Sequence, residues 1–246
     1  MPISPNFTSV FSKDWEIDFT QCAPNGYLKY TDLCNIFQLT AAAHSEIGGI
    51  SFTDMQEFHQ AWVLGRMRVE ISALPKWKDT VTVKTWIVNL EKSRSIRALE
   101  MHLNGKKIAG TETFWVVFNT KIRRLDVLAL PHEHFEKFPD KKPILENVKK
   151  INLPDNIKTV KQRKVVLSDL DIVNHVNNVK YLEWCLDLVN PQFILDQKLK
   201  SFDMNFMQEL MLGDEVRIQQ SNTDNSSIYS ISTKNKACFA LELNWE

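Results

Sequence analysis

The stretch SDLDIVNHVNNVKYLEWCLDLV, residues 168–189, places Asp169, Asp171, Asn174, His175, Asn177 and Asn178 directly ahead of a helical apolar rhythm. Two kinds of chemistry fit these residue types. Helix N-termini carry unpaired N–H groups and the positive end of the helix dipole, so Asp171, Asn174 and the Asn177–Asn178 pair can serve simply as caps. A histidine in the first turn suggests more. The dipole disfavours its protonated form, and a neutral imidazole beside a carboxylate is what general-base chemistry needs. His175 and Asp171 supply those two groups.

Other candidates carry less. His132–Glu133–His134 has the look of a metal pair, but no further ligand is near it in sequence, so no metal is expected there. His44, His59 and His102 have no sequence partner and read as structural. Gly48–Gly49 is the one glycine doublet, and no Lys-Ser/Thr follows it, which argues against a phosphate-binding loop. Cys22, Cys34, Cys185 and Cys238 are scattered and form no CxxC pair, the pattern of reduced thiols in a cytoplasmic protein. Cys185, on the helical stretch, reads as a small core residue.

The elements that must position the polar cluster occur twice. In the first half, GYLKYTDLCNIFQLTAAAHSEIGG reads as a helix with an apolar face of Leu28, Leu33, Ile36, Phe37 and Leu39, ended by Gly48–Gly49. WVLGRMRVEISAL, TVTVKTWIVNL, SIRALEMHL and TETFWVVFNT then read as strands, and Asn104–Gly105 is a strong hairpin signal. In the second half, HVNNVKYLEWCLDLV is a helix with Val179, Leu182, Leu186 and Val189 on one face. SFDMNFMQELMLGDEVRIQQSN, SSIYSISTKN and ACFALELNW follow as strand material. ALPKWKDTVTV and QELMLGDEVRI each enter a turn, place an Asp (Asp79, Asp214) and leave on an alternating strand. These are two copies of one α+β unit, a helix followed by antiparallel strands. In the first copy Asn25–Gly26 stands in the place of Asn174–His175, so the polar cluster belongs to the second copy alone.

The expected boundaries are residues 1–125 for the first unit, 126–164 for a linker and 165–246 for the second unit. Residues 141–164 hold eight Lys/Arg against two acids. That excess reads either as a solvated connector or as a docking patch for an acidic partner. The formal net charge is zero, which gives no pointer to nucleic acid or to a membrane surface. No run approaches the roughly 18 apolar residues of a membrane span, and the N-terminus lacks the pattern of a secretory signal.

SDLDIVNHVNNVKYLEW resembles the signature of the acyl-acyl-carrier-protein thioesterases, the fatty-acyl chain terminators of plants and bacteria. WVLGRMRVEI, PKWKDTVTVKTW, RSIRALEM and TFWVVFNTKIRRL extend the resemblance over nearly the whole chain. It implies an α+β tandem (double) hot-dog fold, each unit a long central helix wrapped by an antiparallel sheet. It also implies hydrolysis of the thioester between a fatty acyl chain and acyl carrier protein (ACP), with no cofactor and no metal. The family motif Asp-x-Asn-x-His puts its Asp on Asp171 and its His on His175. Its middle Asn falls on Val173, leaving Asn174, one position later, as the candidate for that role. The second catalytic segment of the family puts a Glu on Glu209, and Leu210 stands where some members carry Cys. In the implied mechanism His175 and Glu209 activate a water, Asp171 fixes an amide or the substrate carbonyl, and backbone N–H groups at the helix start hold the oxyanion. Phe37, Leu39, Trp62 and Met67 are expected to line the acyl pocket, and Lys149, Lys150, Lys161, Arg163 and Lys164 to dock the acidic carrier. Two alternatives stay open: an acyl-CoA thioesterase, whose family shares the Asp at position 171, and a non-catalytic hot-dog acyl-binding protein, suggested by Val173. A homodimer stays open as well, and the sequence does not fix chain length.

Overall fold

Leu33, Ile36, Phe37, Thr40, Ala41 and His44 recur at helical spacing, and all are buried on one face of an 18-residue helix. The structure, a computed structural model, describes residues 3–234 and 236–246. Two glycines end the helix: Gly49 takes a left-handed φ of 71°. At Gly48 a Cβ would lie 2.2 Å from the Phe135 ring, so only glycine lets that ring pack.

The chain divides into two units. The first comprises residues 1–65 and 72–147. It contains β1 (Val10–Glu16), α1 (Tyr30–Ile47), α2 (Phe52–Gln56), the first half of β2 (Gln60–Ile71), β3 (Thr80–Glu91), β4 (Arg94–Leu103), β5 (Lys106–Asn119) and β6 (Arg124–Leu125). The strand order is β1-β3-β4-β5-β2, with β6 paired to β5. Asn104 and Gly105 both take positive φ, 51° and 77°, and join β4 to β5 in the tight hairpin their types indicate. Helix α1 packs on β1 and β3.

The second unit comprises residues 66–71 and 148–246. It contains β7 (Lys158–Lys164), α3 (Asn178–Leu186), α4 (Pro191–Leu195), β8 (Leu199–Phe206), β9 (Glu215–Asn222), β10 (Ser226–Thr233) and β11 (Lys236–Trp245). Residues 66–70 of β2 pair with β8, and the order continues β8-β11-β10-β9-β7, antiparallel throughout. Arg68 and Asp203 lie directly opposite each other in the β2–β8 ladder and form a buried ion pair, with Glu70 on the same guanidinium. A pair with both partners desolvated tolerates no slip in register.

Three details differ from the sequence reading. Residues 158–164, read as linker, form β7 along the outer side of β9; nearly every side chain of this strand is exposed, so it leaves no apolar alternation to find. The second helix starts at Asn178, capped by Asn177, rather than at His175. The strand-like run 201–222 is two strands separated by the irregular segment 207–214, which carries Glu209. No helix among the described residues is long and apolar enough to cross a membrane.

Candidate active site

Each unit leads into its helix through the same loop. In the second unit a single 3-10 turn, Leu167–Asp169, precedes it. The Asp171 N–H then donates to the His175 carbonyl at 2.9 Å, Asn174 N–H to the Asp171 carbonyl at 3.0 Å, and Val176 N–H to the Leu210 carbonyl at 2.9 Å. In the first unit Ala23 donates to Tyr27 at 2.8 Å, Gly26 to Ala23 at 2.8 Å and Leu28 to Pro75 at 2.9 Å. The turns beyond correspond as well. Asp79 Oδ2 accepts from Lys76 N–H at 2.7 Å, and Asp214 Oδ2 from Met211 N–H at 2.9 Å. These bonds pair Asp171 with Ala23, Asn174 with Gly26, His175 with Tyr27 and Glu209 with Leu74. Matching Asn174–His175 to Asn25–Gly26, as the sequence suggests, is therefore one residue out. The marker is backbone conformation: Gly26 and Asn174 both take left-handed φ, 79° and 63°.

At the matched positions only the second unit sets an imidazole beside carboxylates. His175 Nε2 lies 3.5 Å from Glu209 Oε2, and both side chains are part-exposed, at 23% and 30%. Imidazole and carboxylate are thus side by side and reachable from solvent. Glu209 is held there by its segment: the N–H groups of Met207 and Gln208 both donate to the Cys238 carbonyl, and Leu210 is fully buried. Asp171 Oδ1 accepts from Val173 N–H at 3.1 Å, closing the loop on which His175 sits. Below lies Tyr181, on the buried face of α3. Its phenol is hydrogen-bonded to the backbone of Leu210 and feels the charges of Glu209 and Asp171, and burial pushes its pKa upward. Nothing in residue types marks Tyr181 as part of this cluster, because an aromatic residue on a helix stripe reads as core.

Asp169, the first acid of the cluster, is buried and belongs to the scaffold. It accepts from Arg163 Nη2 at 2.7 Å, from Val166 N–H at 2.9 Å and from Trp184 Nε1 at 3.3 Å. The Arg163 guanidinium also stacks on the Trp184 ring, 3.9 Å from its centroid. This corrects the expectation for Arg163, whose charge is engaged inside the unit. Of the other basic residues, Lys149 pairs with Glu242 at 3.1 Å, while Lys150, Lys161 and Lys164 are exposed. Asn174 is exposed and has a conformational reason for its place. Val179 N–H is taken by the Asn177 side chain and Lys180 N–H by its carbonyl, which removes both from any oxyanion role.

The expected acyl-lining residues separate. Trp62 lines a cavity of about 200 Å³ in the first unit. Phe37 and Met67 are fully buried in packed cores, and neither borders that cavity. Leu39 falls off the buried stripe of α1, is 53% exposed and does not border that cavity. Cys185 is fully buried, and burial pushes its thiol far up, as suits a core residue. His134 bonds the Gly48 carbonyl at 2.9 Å and His132 the Leu130 carbonyl at 3.0 Å, so each imidazole has a local structural contact.

Comparison with known proteins places this geometry. The family model of the acyl-ACP thioesterase N-terminal domain matches residues 8–136, and that of the C-terminal domain matches residues 153–245. A chloroplastic palmitoyl-acyl carrier protein thioesterase of Cuphea hookeriana is 28% identical over 214 residues, covering 81% of this chain and 52% of that protein. The chain thus spans about half the length of the curated relatives it matches. An acyl-ACP thioesterase from Bacteroides thetaiotaomicron superposes with a TM-score of 0.88 at 22% identity, over 97% of this chain and 98% of that one. The 12:0-ACP thioesterase from Umbellularia californica gives 0.80 at 20% identity, over the same shares. The expected α+β tandem hot-dog fold is shared with both.

Proposed function

The chain belongs to the acyl-ACP thioesterase family, and from that membership we propose that it hydrolyses the thioester of fatty acyl-ACP, releasing free fatty acid and so terminating chain synthesis. The observation that carries this reading is the His175–Glu209 pair at 3.5 Å, standing where the first unit has Tyr27 and Leu74. A water held by imidazole and carboxylate attacks the thioester carbonyl carbon, and its proton passes to the pair. The tetrahedral intermediate then breaks its C–S bond, and the same proton goes to the departing thiolate. No covalent enzyme intermediate is needed, which agrees with the absence of a thiol at Leu210. Asp171 holds the loop and orients the carbonyl or a nearby amide. The acidic carrier docks on exposed lysines of β7, and the four unpaired cysteines suit a cytoplasmic setting.

The test is hydrolysis of acyl-ACP by Asp171→Asn, His175→Gln and Glu209→Gln, with folding checked by circular dichroism. Losing a positioned acid–base group lowers the rate by about 100- to 10,000-fold. Near-normal turnover in any one variant removes that residue from the mechanism. Higher kcat/KM with acyl-CoA than with acyl-ACP would instead make the carrier coenzyme A.

A further inference from the structure

A cavity of about 380 Å³ opens in the second unit, past the C-terminal end of α3. Leu188, Val189 and Phe193 of α4 wall one side, and residues of β9, β10 and β11 the other. Its size falls within the usual range for small-molecule sites. Two of its rings, Phe193 and Trp245, stand with centroids 5.7 Å apart and planes tilted by 59°. Tyr229 lies at its floor and is fully buried. The catalytic cluster is at the other end of α3, about 13 Å of helix away.

The polar groups of the cavity engage one another only in part. Gln220 Nε2 donates to the Tyr229 hydroxyl at 2.8 Å and to Asn222 Oδ1 at 2.9 Å, which uses both its hydrogens and leaves Gln220 Oε1 as an acceptor. The Tyr229 hydroxyl therefore accepts, and among the described residues nothing takes its own hydrogen. Burial pushes the phenol pKa upward, so that hydrogen stays in place. Trp245 Nε1 donates to Ser227 Oγ at 3.2 Å, and the Ser227 hydrogen is likewise available. Asn190 Oδ1 accepts from the Gln192 N–H at 3.0 Å, and the amide hydrogens of Asn190 and Asn222 are left over. Asp224, an exposed acceptor, is the one charged side chain among the described lining residues.

These groups restrict the occupant. A hydrocarbon chain would strip water from the donors and return nothing. A carboxylate or phosphate would meet no cation, and Asp224 would repel it. A flat heterocycle is best held between parallel faces, and the two rings are not parallel. Donors and acceptors are mixed, and a hydroxyl is the group that serves both. The negative face of the Trp245 indole attracts the weakly positive C–H hydrogens of a saturated ring.

We infer that this cavity is a binding site for a neutral polyhydroxylated ring of monosaccharide size, with its hydroxyls on Tyr229, Gln220, Asn222 and Asn190 and its C–H face against Trp245. The site shares no residue with the Asp171, His175 and Glu209 cluster, and the inference stands without the hydrolytic reading. The experiment is saturation-transfer NMR on the whole protein, titrated with glucose, with cyclohexanol (a ring of the same size with a single hydroxyl) and with adenosine. Glucose is expected to show saturable transfer and to bind roughly fivefold more tightly than either of the others, as one extra hydrogen bond allows. Tyr229→Phe removes the hydroxyl and keeps the ring, and should weaken glucose by about tenfold. Asn222→Ala, at an exposed position, should weaken it as well. His175→Gln should bind glucose like the parent, which separates this site from the catalytic one. No saturable transfer to glucose would mean that the cavity holds water only, and overturns the inference. So does cyclohexanol or adenosine bound as tightly as glucose, or a glucose response lost in His175→Gln. The comparison of the three compounds needs no variant, so it decides even if Tyr229→Phe does not fold.

Discussion

Asn174 holds a backbone φ of 63° at the position where the first unit uses glycine. For most residues a left-handed conformation costs roughly 1–2 kcal/mol, while Gly adopts it freely and Asn tolerates it. The variants therefore separate a conformational role from a chemical one. Asn174→Gly should keep both stability and hydrolysis near the parent, whereas Asn174→Ala should lower unfolding stability by about 1 kcal/mol. A large loss of turnover in Asn174→Gly would show that the amide itself takes part in the reaction. His44 gives a second prediction at this scale. Its folded-state pKa is lowered to about 3 by burial and by the neighbouring Arg97 guanidinium, against an ordinary value of 6.5. The unfolded chain thus binds the proton first as pH falls. The stabilisation is present above about pH 6.5 and is lost progressively down to about pH 3, by at most about 1.4 kcal/mol per pH unit. Urea midpoints measured between pH 7 and pH 4 should fall. His44→Gln keeps an acceptor for Arg97 and a donor for Thr8 but does not titrate, so its midpoints should fall less steeply. Equal slopes would place the acid sensitivity elsewhere.

Among the elements, those that bury one face were legible and those that do not were missed. Helix α1 announced itself by apolar spacing and its terminal glycines, and the β4–β5 hairpin by Asn104–Gly105. Strand β7 did not, because its side chains face solvent and its hydrogen bonds to β9 are invisible in residue types. The segment carrying Glu209 reads as strand because Met207, Leu210, Met211 and Leu212 are apolar, yet of these only Leu210 is buried. His175 was found through its neighbours in sequence. Tyr181 was not, since its place beneath the site depends on the segment around Leu210, which lies 29 residues further along the chain. Exposure also sharpens what β7 can do. Arg163 is tied to Asp169, which leaves Lys158, Lys161 and Lys164 as the free-standing charges of the strand. Exposed ion pairs contribute under about 1 kcal/mol each, so reversing one lysine to Glu should change little. Reversing all three should raise KM for acyl-ACP by about tenfold at low salt, from roughly 0.5 kcal/mol each, and by less at physiological salt. Hydrolysis of an acyl-pantetheine fragment, which has no carrier, should be unchanged. Unaltered acyl-ACP kinetics at low salt would move the docking face off β7.

Over the whole chain, duplication has produced two loops of one geometry with different chemistry. Ala23, Tyr27 and Leu74 in the first unit hold the positions that Asp171, His175 and Glu209 hold in the second, within the same pattern of backbone hydrogen bonds. The backbone bonds that shape the loop are thus common to both units, whichever side chains it carries. A methyl, a phenol and an isobutyl group cannot hold and deprotonate a water, whereas an imidazole beside a carboxylate can. One catalytic centre per chain is therefore the expected outcome. Titration with ACP bearing a non-hydrolysable acyl thioether should saturate at one carrier per chain, and His175→Gln should abolish turnover without leaving a second, slower phase that belongs to the first unit. Saturation at two carriers per chain, or residual turnover that responds to Tyr27→Phe, would show that the first loop is catalytic in its own right and that the division of labour between the units has been drawn wrongly.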